Sequence, residues 1–477
     1  MNNSLLINNP LLCARMDGEY GKGDVVNAFS GGHIFIQDGV IQSAGTEKFS
    51  GHADEVIDAS NMVVTPGFVN THHHFYQTLT RNIFSVQNEE LFQWLMTHYE
   101  IWREISEVAV YTAARLAMVE LLKTGCTTTS DHHYLFPSST SGKLIDAEIR
   151  AARELGMRFQ PTRGSMSLGK SDGGLPPDDV IQSEQTIKED TIRLIKEYHD
   201  DRPAAMTRIA LGPCSPFSVT PELMKQTVEL GEKYNLQIHT HLAETQDEQD
   251  FCLDTFGKRP FDYLDTLGWI RKNAWFAHAI HLNDEEIARA GKAGVGVTHC
   301  PTSNMRLGSG IARIKEMLRS GVKVSLGVDG SASNDSSNML MEMRNAMMLS
   351  RLREKDKWLT SDDVFYIATR GGSEVLNRPE IGKISEGKQA DLNLMAMDRI
   401  EYSGAKHDPL AALVFSVALQ PFDYVIVNGK VIVRSGVIPH INEKALVNEH
   451  QAISDKIIAQ AEAKTGKGYR RRQWQGY

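Results

Sequence analysis

The chain has 477 residues, 51 Lys+Arg against 60 Asp+Glu, and 41% hydrophobic content. This is ordinary soluble-globular composition, with room for one large domain and a smaller one. A net charge of −9 argues against nucleic acid as the main partner, because phosphate binding needs a basic face.

The exception is the tail GYRRRQWQGY at 468–477, which reads as a solvated end or a subunit contact. The cysteines Cys13, Cys126, Cys214, Cys252 and Cys300 form no CxxC pair. No apolar leader is evident, and no apolar run approaches the roughly 20 residues of a membrane span. A cytoplasmic protein with reduced thiols and no membrane partner is expected.

Along the chain, HIFIQDGVIQSAG gives two β-rich runs around Asp38-Gly39, a hairpin signature. The middle repeats a short β-run followed by a helical stretch. Strands are predicted to end near Asn70, His132, Arg163, Pro216, Ala243, Ala279, Cys300 and Gly330. Gly125, Gly156, Asn235, Gly294 and Gly321 each stand where a helix ends and a β-run begins, a place for the left-handed conformation. Eight such units predict an α/β fold, a (β/α)8 TIM barrel over 65–385. A doubly wound sheet is the alternative, but no Gly-rich phosphate loop follows the first strand. DYVIVNGKVIVRSG forms a second hairpin around Asn428-Gly429. Residues 1–64 and 386–445 are therefore expected to join as one β-sandwich domain from both chain ends. Residues 446–477 give an amphipathic helix, for packing or subunit contact in a homo-oligomer, and the basic tail.

The polar residues then fall on strand ends. In TPGFVNTHHHFYQ, alternation puts His72 and His74 on one face and His73 on the other, so His72 and His74 are the metal-ligand candidates. LQIHTHLAET offers His241 as a third ligand and Glu244 for proton transfer, with His239 deeper in the strand as buried structure. WFAHAIHL brings His278. VSLGVDGSASND ends on Asp329, which must be paired, coordinated or solvated, since a lone buried carboxylate is costly. All of them gather at the C-terminal face, where barrel sites form. The tandem His132-His133 stays unassigned.

Taken together, PGFVNTHHH, HTHLAE, AHAIHL and GVDGSASND resemble the amidohydrolase superfamily, in its mononuclear-metal aminohydrolase branch, over essentially the whole chain. The resemblance implies metal ligands His72, His74, His241 and Asp329, with Glu244, His278 and Asp329 catalytic. Binuclear members carry a carboxylated Lys at the end of strand 4. Here LGPCSPFSV has none before Lys225, so one Zn2+ per chain is expected, with Fe2+ as the alternative. The loops RGSMSLGKSDGGLPPD, PCSPFSV and THCPTSNMRLGSGIA are similar to 8-oxoguanine deaminases and hydroxytriazine aminohydrolases.

The implied activity is deamination of a small heterocyclic substrate, 8-oxoguanine to urate and ammonia. Isocytosine, guanine, isoxanthopterin or a hydroxytriazine are alternatives within that chemistry; a non-catalytic metal-binding barrel lies further off. Gln77, three residues past His74, can donate to a ring carbonyl and accept from a ring N–H. Trp94 can cover a planar ring, with core packing as its ordinary alternative. Arg163, His299 and Asn304 come from loops on the same face and complete the substrate-contact candidates.

Overall fold

The computed structural model describes residues 4–416 and 420–471. Eight parallel strands close into a barrel in sequential order: β1 (Phe68–Asn70), β2 (Cys126–His133), β3 (Arg158–Ser165), β4 (Ala210–Pro213), β5 (Ile238–Leu242), β6 (Ala274–His278), β7 (Gly296–His299) and β8 (Lys323–Leu326). β8 pairs with β1 to complete the ring, through Leu326 opposite Asn70. The Asn70 side chain reinforces the seam, accepting from Val328 N–H and donating to Thr129 on β2.

All five anticipated helix stops are left-handed, with φ between 52° at Asn235 and 89° at Gly125. The predicted strand ends were late at β4 and β8, where the strands stop at Pro213 and Leu326. The backbone beyond them serves the site instead: Asp329 donates its N–H to the His72 carbonyl and takes a φ of +63°.

The chain ends form two sheets. Ser4–Asn8, His33–Gln37, Val40–Gly45 and Glu55–Asp58 make one; Leu12–Cys13 and Met62–Pro66 join Leu392–Ala396, Tyr424–Val427 and Lys430–Arg434 in the other. Both Asx-Gly turns connect antiparallel strands, with positive φ at Asp38, Gly39, Asn428 and Gly429. Leu5, Ile7, Ile34 and Ile57 from the first sheet meet Val64, Leu392, Leu394 and Ile426 from the second in one apolar layer.

The mixed sheet is pinned to the base of the barrel. Arg158, at the start of β3, donates from Nε and Nη2 to the two oxygens of Asp391 at 2.8 and 3.0 Å, and Asp391 also accepts the Asn428 N–H. Both partners are fully buried.

The last helix, Glu443–Thr465, lies against its own chain. His450 Nε2 meets Thr78 Oγ1 at 3.0 Å and Ser454 donates to the Leu79 carbonyl. Of the basic tail, residues 472–477 lie outside the described residues; Arg470 donates to the Asp455 carbonyl and Arg471 sits over the Phe84 ring. Among the described residues no helix is long and apolar enough to cross a membrane.

Removing one partner of a buried ion pair leaves the other charge stranded, at a cost of about 3–5 kcal/mol. Asp391→Ala is expected to lose that much in urea unfolding. A change under about 1 kcal/mol would mean the pair is dispensable to the fold.

Candidate active site

Beyond β1 the chain stays extended through Thr71–His74, so its side chains keep alternating. His73 turns outward, with Nε2 2.9 Å from Ser337 Oγ and Nδ1 accepting the His74 N–H. His72 and His74 turn into the barrel mouth.

The hydrogen bonds fix which nitrogen of each inward ring carries its proton. His74 Nδ1 lies 2.8 Å from the His132 carbonyl and His241 Nδ1 lies 2.6 Å from the Cys214 carbonyl; a carbonyl only accepts, so each Nδ1 is the N–H. His239 Nδ1 likewise donates to the Trp275 carbonyl, leaving its Nε2 to accept from His72 Nδ1 at 2.8 Å. Burial lowers the pKa of all four rings, to about 3 for His241, so each is neutral. The Nε2 atoms of His72, His74 and His241 are therefore bare lone pairs.

Those lone pairs converge. His74 and His241 present Nε2 to each other at 3.3 Å with no proton between them, and His72 Nε2 is buried without a partner. Asp329 Oδ1 stands 3.4 Å from His72 Nε2 and 3.3 Å from His74 Nε2. Burial opposes ionisation of Asp329, yet its pKa stays well below the usual range, and the neighbouring ring able to carry a positive charge is His278, 3.9 Å away. Four electron-rich atoms this close repel one another unless a cation lies among them. Three neutral imidazoles and a carboxylate are a fitting donor set for a metal ion.

Beside the ligand candidates lie two proton-carrying groups. Burial pushes the Glu244 carboxyl up to about 7, so it holds a proton near neutrality, and its Oε1 has no partner. Burial works against a charge on His278, but Glu244 and Asp329 raise its pKa above the ordinary value. Its Nδ1–H donates to Asn304 Oδ1 at 2.9 Å, and Nε2 sits 3.5 Å from Glu244 and 3.9 Å from Asp329. Ala243, His278 and Asp329, none of them glycine, all have φ above +50°, a costly conformation that the surrounding bonds must sustain. Glu248 does so for the β5 loop: its two oxygens accept the N–H groups of Ala243 and Glu244 at 2.9 and 2.8 Å.

Residues 63–432 match the profile of the Amidohydrolase family. The chain belongs to the amidohydrolase family. An 8-oxoguanine deaminase of Pseudomonas aeruginosa is 48% identical over 431 residues, covering 90% of this chain and 95% of that protein. A hydroxydechloroatrazine ethylaminohydrolase of Pseudomonas sp. strain ADP is 33% identical, covering 91% and 93%. Among solved structures, the atrazine chlorohydrolase of Arthrobacter aurescens TC1 complexed with zinc superposes with a TM-score of 0.89 at 31% identity, covering 94% of this chain and all of that one.

In this amidohydrolase a cavity opens over His74, His241 and Asp329, and Gln77, Trp94 and Glu244 are on its wall. Three substrate-contact expectations need correction. Arg163 points into the helix layer, where it pairs with Asp190 and Gln182, because its alternation on β3 faces it outward. His299 borders a separate gap beside Ala312, Ile314 and Leu349. Asn304 is occupied by the His278 ring and reaches no cavity wall.

Sequence reasoning missed Leu91, Leu95, Tyr134, Ser215 and Phe217, which also line the cavity. Leu91, Trp94 and Leu95 share the i, i+3, i+4 spacing of one helix face, a signal that was legible. Glu248 was legible too, as the fourth residue of the capping pattern Thr245-Gln-Asp-Glu. His239, taken as buried structure, is buried but also fixes the His72 tautomer.

His239→Phe keeps the ring volume and removes the acceptor for His72 Nδ1–H. Losing such a ligand-orienting bond typically weakens metal binding 10–100-fold, and chelator competition is expected to show roughly that drop. An unchanged affinity would mean His72 needs no such support.

Proposed function

We propose that this amidohydrolase is a zinc-dependent hydrolytic deaminase that converts 8-oxoguanine to urate and ammonia. What carries this function is one juxtaposition: unprotonated nitrogens of His72, His74 and His241 and the Asp329 carboxylate meet directly beside Glu244, a carboxyl that holds a proton near neutral pH. The 48% identity to an 8-oxoguanine deaminase over nearly the whole length supports the choice of substrate.

One Zn2+ held by those four residues would lower the pKa of its water from about 15.7 toward 7. Asp329 would accept the proton given up as the water oxygen bonds to the amino-bearing ring carbon. Glu244 delivers its proton to the adjacent ring nitrogen, so that carbon can become tetrahedral without a build-up of charge. His278, anchored by Asn304, keeps its Nε2–H between the two carboxylates and orients them. When the carbon–nitrogen bond breaks, the amino group leaves as ammonia with the proton that Asp329 had collected, and the hydroxyl proton on the same carbon returns to the Glu244 carboxylate as the new carbonyl forms. Glu248 holds the Glu244 backbone in register throughout.

For recognition, the Gln77 amide reads the ring edge: its Oε1 is buried without a partner and free to accept a ring N–H. Leu91, Trp94 and Phe217 supply apolar surface for the flat ring. The enzyme is a cytoplasmic homo-oligomer that binds no nucleic acid. The five free, buried cysteines suit a reducing compartment, and the net charge of −9 disfavours a phosphate backbone.

Ammonia release should be measured on metal-quantified protein with 8-oxoguanine, isocytosine, guanine, isoxanthopterin and a hydroxytriazine. The fastest turnover is expected on 8-oxoguanine; turnover of another compound but not of 8-oxoguanine would refute the substrate. Glu244→Gln keeps the shape and removes the acid, so activity should fall by about 10²–10⁴-fold. Full activity in that variant would remove Glu244 from the proton path. Metal analysis is expected to give about one equivalent per chain, with activity lost to a chelator and restored by Zn2+. Two equivalents would point to a binuclear enzyme.

A further inference from the structure

Behind the site, on the side away from the cavity, three ionisable residues are sealed from solvent: Asp131 and His133 on β2, and Glu148 on the helix Leu144–Leu155. None takes part in the proposed chemistry. Burying three such groups is costly unless their hydrogen bonds close on one another.

They lie together. His133 Nε2 donates to the Leu135 carbonyl at 2.9 Å, and its Nδ1 shares a proton with Glu148 Oε1 at 2.9 Å. One ligand atom each of Asp131, His133 and Glu148 stands within 4.8 Å of the other two. Burial holds both carboxyl groups well above the usual carboxylate range. Asp131 Oδ2 and Glu148 Oε2 are buried without a hydrogen-bond partner.

The bond that reaches toward the site is the informative one. Asp131 Oδ1 accepts the Phe75 N–H at 2.6 Å. Phe75 follows the ligand candidate His74 and opens the short 3-10 turn Phe75–Thr80, which carries Gln77. β2 grips the preceding residues as well: the His132 N–H donates to the His73 carbonyl at 2.7 Å, and the His132 carbonyl holds His74 Nδ1–H. Three consecutive residues, His73, His74 and Phe75, are thus tied to one strand, the last by a short bond to a carboxylate.

We propose that Asp131, braced by Glu148 and His133, is a positioning residue for the reaction. It sets the turn that aims His74 Nε2 at the metal position and the Gln77 amide at the substrate. This rests on the metal-dependent reading of the site given above. A water in place of Asp131 could satisfy the Phe75 N–H but could not fix its direction, since a water is free to rotate.

The test compares Asp131→Ala with Asp131→Asn. The Asn oxygen can still accept from Phe75, while its NH2 can donate to Glu148. Ala leaves the Phe75 N–H unpaired. Outer partners of metal ligands typically contribute 10–100-fold, so Asp131→Ala should lose roughly that much in metal affinity by chelator competition, and in kcat/KM per bound metal. Asp131→Asn should restore most of both. The Asp131→Ala and Gln77→Ala losses in KM should be less than additive, because the first already misplaces Gln77.

The proposal is overturned if Asp131→Ala lowers the Tm but leaves metal affinity and metal-normalised kinetics unchanged, or if the Asn variant is as impaired as the Ala variant. Should Asp131→Ala fail to fold, Asp131→Ser, whose shorter side chain falls out of reach of Phe75, serves in the same comparison. Chelator competition needs no substrate. A wild-type protein that binds metal but does not deaminate 8-oxoguanine therefore sinks the substrate reading alone.

Discussion

Mutual repulsion among four electron-rich atoms at the barrel mouth is the constraint on which the rest of the architecture turns. Left to themselves, His72, His74, His241 and Asp329 would rotate apart or take up protons. Each imidazole is instead held by its far nitrogen: His74 and His241 by backbone carbonyls, His72 by the His239 ring. The proton on each ring is thereby committed to the side away from the centre. The electrostatic tension is thus built in by the strands rather than relieved by them, and it is the tension that a cation among the four atoms would resolve.

The same device recurs one layer out, with carboxylates in place of carbonyls. Glu248 captures two adjacent N–H groups of the β5 loop, Asp131 one of the β1 turn, and Glu342 the Thr302 N–H together with the Asn334 side chain. All four carboxylates, Glu148 included, are buried. Loops at a barrel mouth are ordinarily its most adaptable part. Here they are tied down by buried acids on the surrounding helices and on β2.

Much of this was legible in the sequence because its signals are periodic or stereochemical. Alternation separated His72 and His74 from His73. Residues that tolerate positive φ marked five helix ends, and two Asx-Gly pairs marked the hairpins. The eight strands emerged from rhythm alone, although β4 and β8 ran long in the reading, because apolar residues continue past the last ladder bond. What stayed hidden depends on direction at long range. Arg163 stands near a strand end like the ligand candidates, but its pairing with Asp190 shows that it faces the helices. Asn304 acts through another residue, and such a partner is set by tertiary placement that local spacing does not encode.

The way the chain ends are woven together bears on how the protein is made. Met62–Pro66 lies between Leu12–Cys13 and Leu392–Ala396, and β1 cannot meet its neighbour β8 until Leu326 exists. A growing chain on the ribosome therefore carries an open sheet edge and an unclosed ring through most of its synthesis. The histidine run at 72–74 leaves the exit tunnel long before Asp329 does. During that interval its imidazoles stand without their carboxylate partner, and the site's native geometry can be completed only once Asp329 has emerged.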